Sequence, residues 1–542
     1  MSTSASPPAA LSVLTFNVWG LKFISKDRTP RIAAIAEFLA THAEPTTTPG
    51  TGFDIVCLQE CWVQRDFETI REACKDVFPY SRYFHTGALG SGLAILSKFP
   101  IISAQALPYS LSGLPLAVIA GDFFVNKAAG SVVVLHPELG EVEIWNTHMH
   151  AAGEHGPQTQ QAHRMAQAWQ LANAIRAAAE RGRYVIATGD FNSSPQSLPI
   201  AIMRDQGCVL DAWLMTHPES LTAAAPETDE DGILRHGMTC DNYINSYSAG
   251  KPLVDEAIRW KGKRLDYIFY RGPDVARRRP LLWSFKGQGK RRQGNGKYHD
   301  DKPGQHTVGS HAHDDVRHLE EGPPIAESMQ SAPILSCQSC RVVMTDLVPG
   351  QTYSYSDHFG VLATFAILSA NEANNPLTNP EAPQHRPLPT DYDGTAPLVQ
   401  IASNEASSGD SGTSRTKQEA SSRQTAINAF FHSPTKAETI RNAIDILRAY
   451  SGISARNSKF HLRLFGLSIF AAVALSVSSA WQPKSYIQPI WTLLGVAVGA
   501  LGATMLYVGF VWGRWEANLL REVVAQMELD QAVADLEIEA RQ

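Results

Sequence analysis

Two long apolar segments near the C-terminus, at 464–481 and 487–512, place the strongest constraint on how this chain can fold. Each is close to the roughly 20 residues that a helix needs to cross a bilayer. A short polar turn at 482–486 separates them. Aromatic side chains stand where interfacial aromatics are expected, at Trp481, Trp491, Tyr507 and Trp512. The sequence therefore predicts a transmembrane helical hairpin, with two buried helices of a soluble domain as the alternative.

The basic residues around this hairpin predict its orientation. Among them only Lys484 lies in the turn, whereas the outer flanks carry Arg448, Arg456, Lys459, Arg463, Arg514 and Arg521. Since Lys and Arg concentrate on the cytosolic side of membrane proteins, both flanks are expected in the cytosol. The seven cysteines lack a regular framework, and residues 1–10 lack the apolar core of a signal peptide, which suits a reducing compartment. We expect an integral protein of an intracellular or plasma membrane, with its large N-terminal region cytosolic.

Composition divides the rest of the chain. Residues 1–10 are predicted to be disordered, and 371–434 has the composition of a linker. Between them, 11–370 is predicted to form one globular domain, interrupted at about 272–335 by a basic, Gly/His-rich surface loop for which membrane contact is the functional alternative. A juxtamembrane helix is predicted at 435–459, and the charged tail at 513–542 is expected to be a solvated helix or a weak oligomerisation segment. The formal net charge of -6 does not suggest a general nucleic-acid binder.

Hydrophobic periodicity predicts an α/β domain within 11–370. Strands are predicted at 11–16, 54–58, 90–97, 141–146, 184–188 and 265–270, helices at 31–42, 67–77 and 159–181, and a hairpin from 118–125 and 131–135. Six short polar clusters accompany these elements, five of them where a predicted strand ends or begins and the last just before a final apolar run. They are Asn17, Gln59-Glu60, Asn146-Thr147-His148, Gly189-Asp190-Phe191-Asn192, Asp266, and Ser356-Asp357-His358.

These clusters hold the side chains that phosphodiester cleavage requires. A divalent cation can stabilise the charge that develops on the phosphoryl oxygens, and Glu60 and Asn17 offer oxygen ligands for magnesium. An imidazole oriented by a carboxylate can deprotonate water near neutral pH, a role that suits His358 with Asp266. Asp190 and Asn192 can position the water and a phosphoryl oxygen. His148 can protonate the leaving group or bind the phosphate. Taken singly, each cluster is as often a solvated strand end or an ordinary turn.

The ordered set resembles the endonuclease/exonuclease/phosphatase superfamily, and within it the neutral sphingomyelinases and the fungal inositol phosphosphingolipid phospholipases C. The resemblance covers 11–370 apart from the insertion, and also the C-terminal hairpin. It rests on the motifs at Phe16–Gly20, Leu58–Trp62, Gly92–Ser97, Gly121–Lys127, His148–Ala151 and Tyr353–Gly360. It implies a DNase I-like, four-layer sandwich of two packed β-sheets flanked by helices.

The resemblance also implies an activity and residue roles. The activity is a Mg²⁺-dependent, phospholipase C-type cleavage that releases ceramide and a phosphorylated head group from a sphingolipid in the membrane. Glu60 would be the main metal ligand, with Asn17 and Asp357 beside it, and His358 the general base oriented by Asp266. Asp190, Asn192 and His148 would act on water and phosphate, and Asp122 and Lys127 would engage the substrate.

Several alternatives remain open at the level of sequence. A nuclease or deadenylase of the same fold could use the same side chains, although the hairpin and the acidic balance argue against a nucleic-acid substrate. A lysophospholipid-directed phospholipase C is a further possibility. A phosphoinositide 5-phosphatase is disfavoured by the sequence around His358, and a catalytically inactive binding protein by the complete set of side chains. The choice between choline and inositol head groups, any response to anionic lipids and the oligomeric state stay open.

Overall fold

The computed structural model describes residues 10–43, 52–118, 121–151, 158–273, 333–368 and 436–541, and for 158–160 and 536–541 it describes the backbone alone. Almost all of the predicted N-terminal segment, insertion and linker therefore lie outside the described residues. At the far side of the insertion the chain resumes as a strand that begins at Ile334.

Two six-stranded β-sheets form the centre of the domain. The first sheet has the order β11-β12-β1-β2-β4-β3, and the second has the order β5-β6-β7-β8-β10-β9. The strands are β1 (Ala10–Asn17), β2 (Ile55–Gln59), β3 (Tyr80–Tyr83), β4 (Ala94–Ser97), β5 (Ile101–Pro108), β6 (Ala128–His136), β7 (Gly140–His148), β8 (Tyr184–Asp190), β9 (Leu210–Asp211), β10 (Asp266–Arg271), β11 (Ile334–Val343) and β12 (Gly360–Leu368).

Helices cover the outer faces of both sheets. The helices of the domain are α1 (Arg28–His42), α2 (Gln64–Cys74), α3 (Asp122–Val125), α4 (Gln158–Glu180), α5 (Leu198–Gly207), α6 (Ala212–Thr216), α7 (Asp229–His236) and α8 (Asp255–Trp260). One apolar core lies between the sheets, a second joins α1 and α2 to the first sheet, and a third joins α4 and α5 to the second sheet. In β1, Leu11 and Val13 enter the core between the sheets, and Leu14 and Phe16 enter the core under the helices. The predicted four-layer sandwich is confirmed.

Strand register gathers the polar clusters at one end of this sandwich. Parallel pairing sets Asn17 beside Gln59 and His148 beside Asp190. Antiparallel pairing sets Asp266 beside Asp190. The two sheets are joined at this end by a 2.6 Å hydrogen bond from Gln59 Nε2 to Asn146 Oδ1. The clusters that are far apart in sequence therefore face one another across the sandwich.

The predicted hairpin from 118–125 and 131–135 is wrong. Asp122–Val125 is the short helix α3, bounded by Gly121 and Asn126 in left-handed conformations, and β6 instead pairs with β7. A brief apolar run such as Phe123-Phe124-Val125 fits either a strand or one helical turn. The left-handed residues on both sides favour the turn, because they stop an extended strand from continuing.

The C-terminal region consists of two long helical segments. The first, α9 (Lys436–Ser478), is continuous across the predicted juxtamembrane helix and the first apolar segment. The second comprises α10 (Gln488–Leu506), a π-helical turn at Tyr507–Trp512 and α11 (Gly513–Arg541). Close approach is possible because small residues meet: Ser458 Oγ donates to the carbonyl of Gly509 at 2.5 Å.

The tail is not the solvated helix that the sequence suggests. Leu520, Val523 and Met527 of α11 are buried, together with one face of α9, in the same core as α4 and α5. A buried polar contact accompanies this packing, in which Glu516 accepts hydrogen bonds from Tyr450 and Ser454 at 2.5 Å. Its carboxylate also lies 3.5 Å from His163 Nε2 of α4. The helical spacing of Leu519, Val523 and Met527 is visible in the sequence, but it does not show which surface the stripe contacts.

Candidate active site

Asn17, Glu60 and Asp190 form the centre of the site. Asn17 Nδ2 donates to Glu60 Oε1 at 3.2 Å and to Asp190 Oδ2 at 3.1 Å. The Asn17 Oδ1 atom accepts the backbone N–H of Trp19, so the amide orients the two carboxylates. Ligation of a metal by the Asn17 oxygen would require the amide to turn.

His358 and Asp266 form a buried pair that also contacts Asp190. His358 Nδ1 lies 2.9 Å from Asp266 Oδ2, and Nε2 lies 3.9 Å from Asp190 Oδ2. Burial lowers the pKa of His358, but hydrogen-bonded Cys240 and Asp266 outweigh it, and the pKa lies well above its usual value. Burial and the Asp266 carboxylate raise the pKa of Asp190 to about 7. The Asp266 contact fixes one ring nitrogen, and the other faces the site.

Lys127 and His148 form a second pair. Lys127 is 2% exposed, and its Nζ lies 2.9 Å from His148 Nε2 and 3.5 Å from Asp122 Oδ1. Asp122 Oδ2 is in turn 2.6 Å from His150 Nδ1. Burial and the positive charge of Lys127 lower the pKa of His148 well below its usual value, so this imidazole is neutral at neutral pH. Its Nε2 is 3.6 Å from Asp190 Oδ2, which connects the pair to the central carboxylates.

Asn192 and Asp357 lie at the edge of this arrangement. The Asn192 backbone N–H donates to Asp190 Oδ1 at 2.9 Å, and its side chain donates to the Met149 carbonyl at 3.2 Å. Asp357 is half-buried, and its Oδ1 is 3.3 Å from Ser356 Oγ. Burial and the Glu60 carboxylate raise the pKa of Asp357 to about 6, although His358 opposes the shift. The structure thus brings all of the predicted site residues to one end of the sandwich, while their roles stay predictions.

The backbone at the site is held in unusual conformations. Trp19, Glu60 and Asn192 have positive φ angles of 48°, 55° and 48°, which non-glycine residues adopt at some cost. Gly189, with φ of 138°, lies so close to β7 that an added Cβ would stand 2.0 Å from the Thr147 carbonyl oxygen. Glycine at this position therefore allows β7 and β8 to deliver His148 and Asp190 side by side.

Sequence reasoning missed Arg31, a fully buried residue of α1. Its guanidinium donates to the carbonyls of Val18, Trp19 and Tyr355 at 2.8 to 2.9 Å. These bonds join the segment after Asn17 to the segment before Asp357. The available signal was an arginine at the start of an apolar helical stripe, and it gave no indication of these distant carbonyl partners.

Sequence reasoning also missed Cys240. Its backbone forms an isolated antiparallel bridge with His358, and its thiol is hydrogen-bonded to the ring. Burial raises the pKa of this thiol to about 11, so it is neutral at neutral pH. Nothing in the sequence around Cys240 identified it as a neighbour of the imidazole, since 118 residues separate the two positions in the numbering.

The donor set fits a hard divalent cation. Ligand atoms lie within 4.8 Å of one another in two groups, Glu60 with His148 and Asp190, and Asp190 with Asp266 and His358. Burial raises the pKa values of Asp190 and Asp357, and repulsion from the neighbouring Asp266 and Glu60 carboxylates raises them further. A cation among them would relieve that repulsion, and oxygen donors are the ligands that magnesium prefers.

Comparison with known proteins agrees with this geometry. The chain is 39% identical over 276 residues to an inositol phosphosphingolipids phospholipase C of Schizosaccharomyces pombe, a match that covers 50% of this chain and 62% of the relative. It is 35% identical over 281 residues to the protein of the same name in Saccharomyces cerevisiae, covering 49% and 58%. It is 30% identical over 261 residues to sphingomyelin phosphodiesterase 2 of Homo sapiens, covering 48% and 56%.

The matched part of the chain thus spans about three fifths of these relatives' length. A family profile also matches the chain. Residues 14–289, just over half of the 542-residue chain, match the endonuclease/exonuclease/phosphatase family. This interval contains the first five of the six polar clusters, and the sixth lies beyond it, just before the start of β12. The chain belongs to the endonuclease/exonuclease/phosphatase family.

Proposed function

We propose that this protein is a membrane-anchored, Mg²⁺-dependent phosphodiesterase of the phospholipase C type. Its substrate is sphingomyelin or an inositol phosphosphingolipid, and its products are ceramide and a phosphorylated head group. The observation that carries the proposal is the buried His358–Asp266 pair facing Asp190, with Glu60 and His148 alongside. The names of the relatives support the substrate class.

His358 acts as the general base in this proposal. Asp266 holds the Nδ1–H, so the Nε2 lone pair can take a proton from a water molecule. Asp190, 3.9 Å from Nε2, accepts the second hydrogen of that water and aligns it. The water oxygen then forms a bond to phosphorus, and the bond from phosphorus to the ceramide oxygen breaks. The ceramide oxygen takes a proton from solvent water, and His358 later returns its own proton to solvent.

His148 and Lys127 bind the phosphate. Because its pKa is lowered, His148 is neutral and donates a hydrogen bond rather than a proton, which favours the phosphate-binding role over the leaving-group acid. Lys127 contributes positive charge beside it, and Asp122 holds the lysine from the other side. The Asn192 side chain lies at the same edge and can donate to a phosphoryl oxygen.

Glu60, with Asn17 and Asp357 beside it, would hold Mg²⁺. When bound, the ion would neutralise charge on the phosphoryl oxygens and, by repulsion, favour the neutral, basic form of His358. Glu60 Oε1 lies 3.7 Å from His148 Nε2, so the substrate's charge would be shared between the ion and the phosphate-binding side chains.

The C-terminal helices would anchor the domain to a bilayer. Two helices, Lys436–Trp481 and Ser485–Asp535, are long and apolar enough to cross a membrane. The windows with the highest hydropathy are only 6% and 22% buried, unlike a core helix of a soluble domain. With both flanks basic, the domain would lie on the cytosolic side of an intracellular or plasma membrane.

The decisive experiment is head-group release by the purified full-length chain. Sphingomyelin, inositol phosphoceramide, a lysophospholipid and DNA would be compared, each with and without magnesium. We expect release from a sphingolipid that depends on magnesium. Cleavage of DNA alone would contradict the lipid assignment and favour the nuclease alternative, and release from the lysophospholipid alone would change the substrate class.

A further inference from the structure

The loop at residues 20–27, which we call the Phe23 loop, presents two apolar side chains to solvent. Phe23 is 93% exposed and Ile24 is 66% exposed. Lys22 and Lys26 stand on either side of them. Single exposed apolar residues are ordinary, but an adjacent aromatic and aliphatic pair at a loop tip indicates a surface that contacts something apolar.

The structure holds this tip outward. Phe23 has a φ angle of 72°, a left-handed conformation that is costly for an aromatic residue. The backbone N–H groups of Ile24 and Ser25 both reach the Leu21 carbonyl, at 3.3 and 3.0 Å, and close the turn. At the base, buried Arg31 donates from Nε to the Lys26 carbonyl at 2.9 Å. The exposed tip is therefore mounted on a fixed stem.

The Phe23 loop lies at the active-site end of the sandwich, three residues beyond Asn17. The connections from β3 to β4 and from β5 to β6 lie at the same end. The strand pairing places them there, because Leu58 pairs with Ala94 and Pro108 pairs with Ala128. Both carry exposed apolar residues, namely Leu89, Leu116 and Val118, which are 63%, 43% and 61% exposed. The opening of the site is thus bordered by apolar loop tips.

The helical hairpin attaches at this end as well. Trp512, at the end of the π-helical turn, packs edge-on against Phe123, with ring centroids 5.0 Å apart. Phe123 neighbours Asp122, which contacts the phosphate-binding Lys127. The apolar part of the hairpin, on the other side of Trp512, therefore begins next to the active-site end and not beside the far ends of the strands.

We propose that the Phe23 loop is a membrane-contact loop. Phe23 and Ile24 enter the boundary between head groups and acyl chains, while Lys22 and Lys26 face the lipid phosphates. The inference rests on the membrane hairpin of the proposed function, since the hairpin would bring this end to the bilayer. It adds to that function a means by which the active site is positioned, because the loop would hold the site at the depth of a lipid phosphodiester.

Fluorescence of the full chain in phosphatidylcholine vesicles tests the contact without catalysis. A Phe23→Cys variant labelled with an environment-sensitive fluorophore is compared with Leu135→Cys, which replaces a leucine that is 49% exposed near the opposite end of β6. The labelled unsubstituted chain supplies the background from native cysteines. We expect a blue shift and quenching by acyl-brominated lipid for the label at 23 alone.

Activity provides the second readout. We expect Phe23→Ser/Ile24→Ser to raise the apparent KM for sphingolipid in vesicles by roughly five- to twentyfold, with little change on a short-chain, monomeric sphingolipid. Leu135→Ser should change neither value. An equal loss on both substrates would mean a structural effect and would overturn the proposal.

The outcomes separate this inference from the proposed function. Equal blue shifts and equal quenching for the labels at 23 and 135 would overturn the membrane-contact loop, even if the enzyme cleaves sphingolipids. A quenched label at 23 in a chain that cleaves no sphingolipid would support the loop and refute the substrate. Shielding of the label only after another protein is added would also overturn it, because the occupant would then be a protein surface.

Discussion

At the scale of single residues, the site depends on how partners fix one another. Asp266 determines which nitrogen of His358 faces the site, and the Asn17 amide links Glu60 and Asp190 by donating to both. Burial and the positive charge of Lys127 lower the pKa of His148 and keep it neutral. Because each functional side chain touches a charged or polar partner, substitutions that preserve size and remove charge are the most informative.

The Asp266→Asn variant tests the orienting role. Loss of the carboxylate leaves His358 without its charged partner, so the ring loses orientation and basicity. We expect turnover to fall by about 10²–10⁴-fold, the range typical of a positioned acid–base group. The turnover of His358→Ala should fall at least as far. Head-group release measured at saturating substrate checks this, with melting curves to confirm folding. Near-normal turnover in either variant would remove the pair from the mechanism.

The Glu60→Gln variant tests the metal-binding role. The amide keeps the side chain's shape but loses the charge that attracts a divalent cation. We expect magnesium affinity, measured by calorimetry without substrate, to fall by about tenfold or more. Activity should recover in part at high magnesium. Unchanged affinity would assign the ion to other ligands, such as the Asp190 and Asp266 group.

At the scale of elements, the strand ends explain why the sequence was informative. The parallel pairs β1–β2 and β7–β8 align their carboxyl ends, so polar residues predicted at those strand ends meet as Asn17 beside Gln59 and His148 beside Asp190. The helix α3 could not be predicted in this way, because its boundaries depend on two left-handed residues. Arg31 and Cys240 also escaped prediction, because backbone partners distant in sequence give them their place.

Gly189 provides a prediction at this scale. Alanine there would place Cβ against the Thr147 carbonyl and push β8 away from β7. We expect Gly189→Ala to lower the free energy of unfolding by more than about 3 kcal/mol. Gly140→Ala is the matched control, since Gly140 also has a positive φ but an added Cβ meets nothing within 4 Å.

The control should cost about 1–2 kcal/mol from backbone strain alone. Chemical denaturation of both variants checks the difference. Similar losses of unfolding free energy in the two variants would mean that β7 and β8 can separate without penalty, and that Gly189 is required only for its backbone angle. For Gly189→Ala we also expect activity to be lost together with folding. His148 and Asp190 are the pair that directly follows Thr147 and Gly189 in β7 and β8.

At the scale of the whole molecule, parts of the C-terminal helices belong to a core of the α/β sandwich domain. One face of α9 and one of α11 share apolar contacts with α4 and α5. The sequence could not reveal this, because an amphipathic helix with a charged outer face looks the same whether its stripe meets a partner or faces solvent. The C-terminal helices therefore combine a candidate anchor at 464–512 with flanking segments that cover α4 and α5.

Met527 and Leu529 of α11 test this coupling within a single helical turn. Met527 is fully buried against the domain, whereas Leu529 is 70% exposed. Met527→Ala leaves a cavity, and we expect it to lower the free energy of unfolding of the catalytic domain by about 2–5 kcal/mol. Leu529→Ala should change it by no more than about 0.5 kcal/mol. Thermal unfolding of the full chain in detergent, followed through loss of head-group release, provides the measurement. If both variants unfold like the parent chain, α11 does not stabilise the domain, and the tail is the solvated helix that its charges suggest.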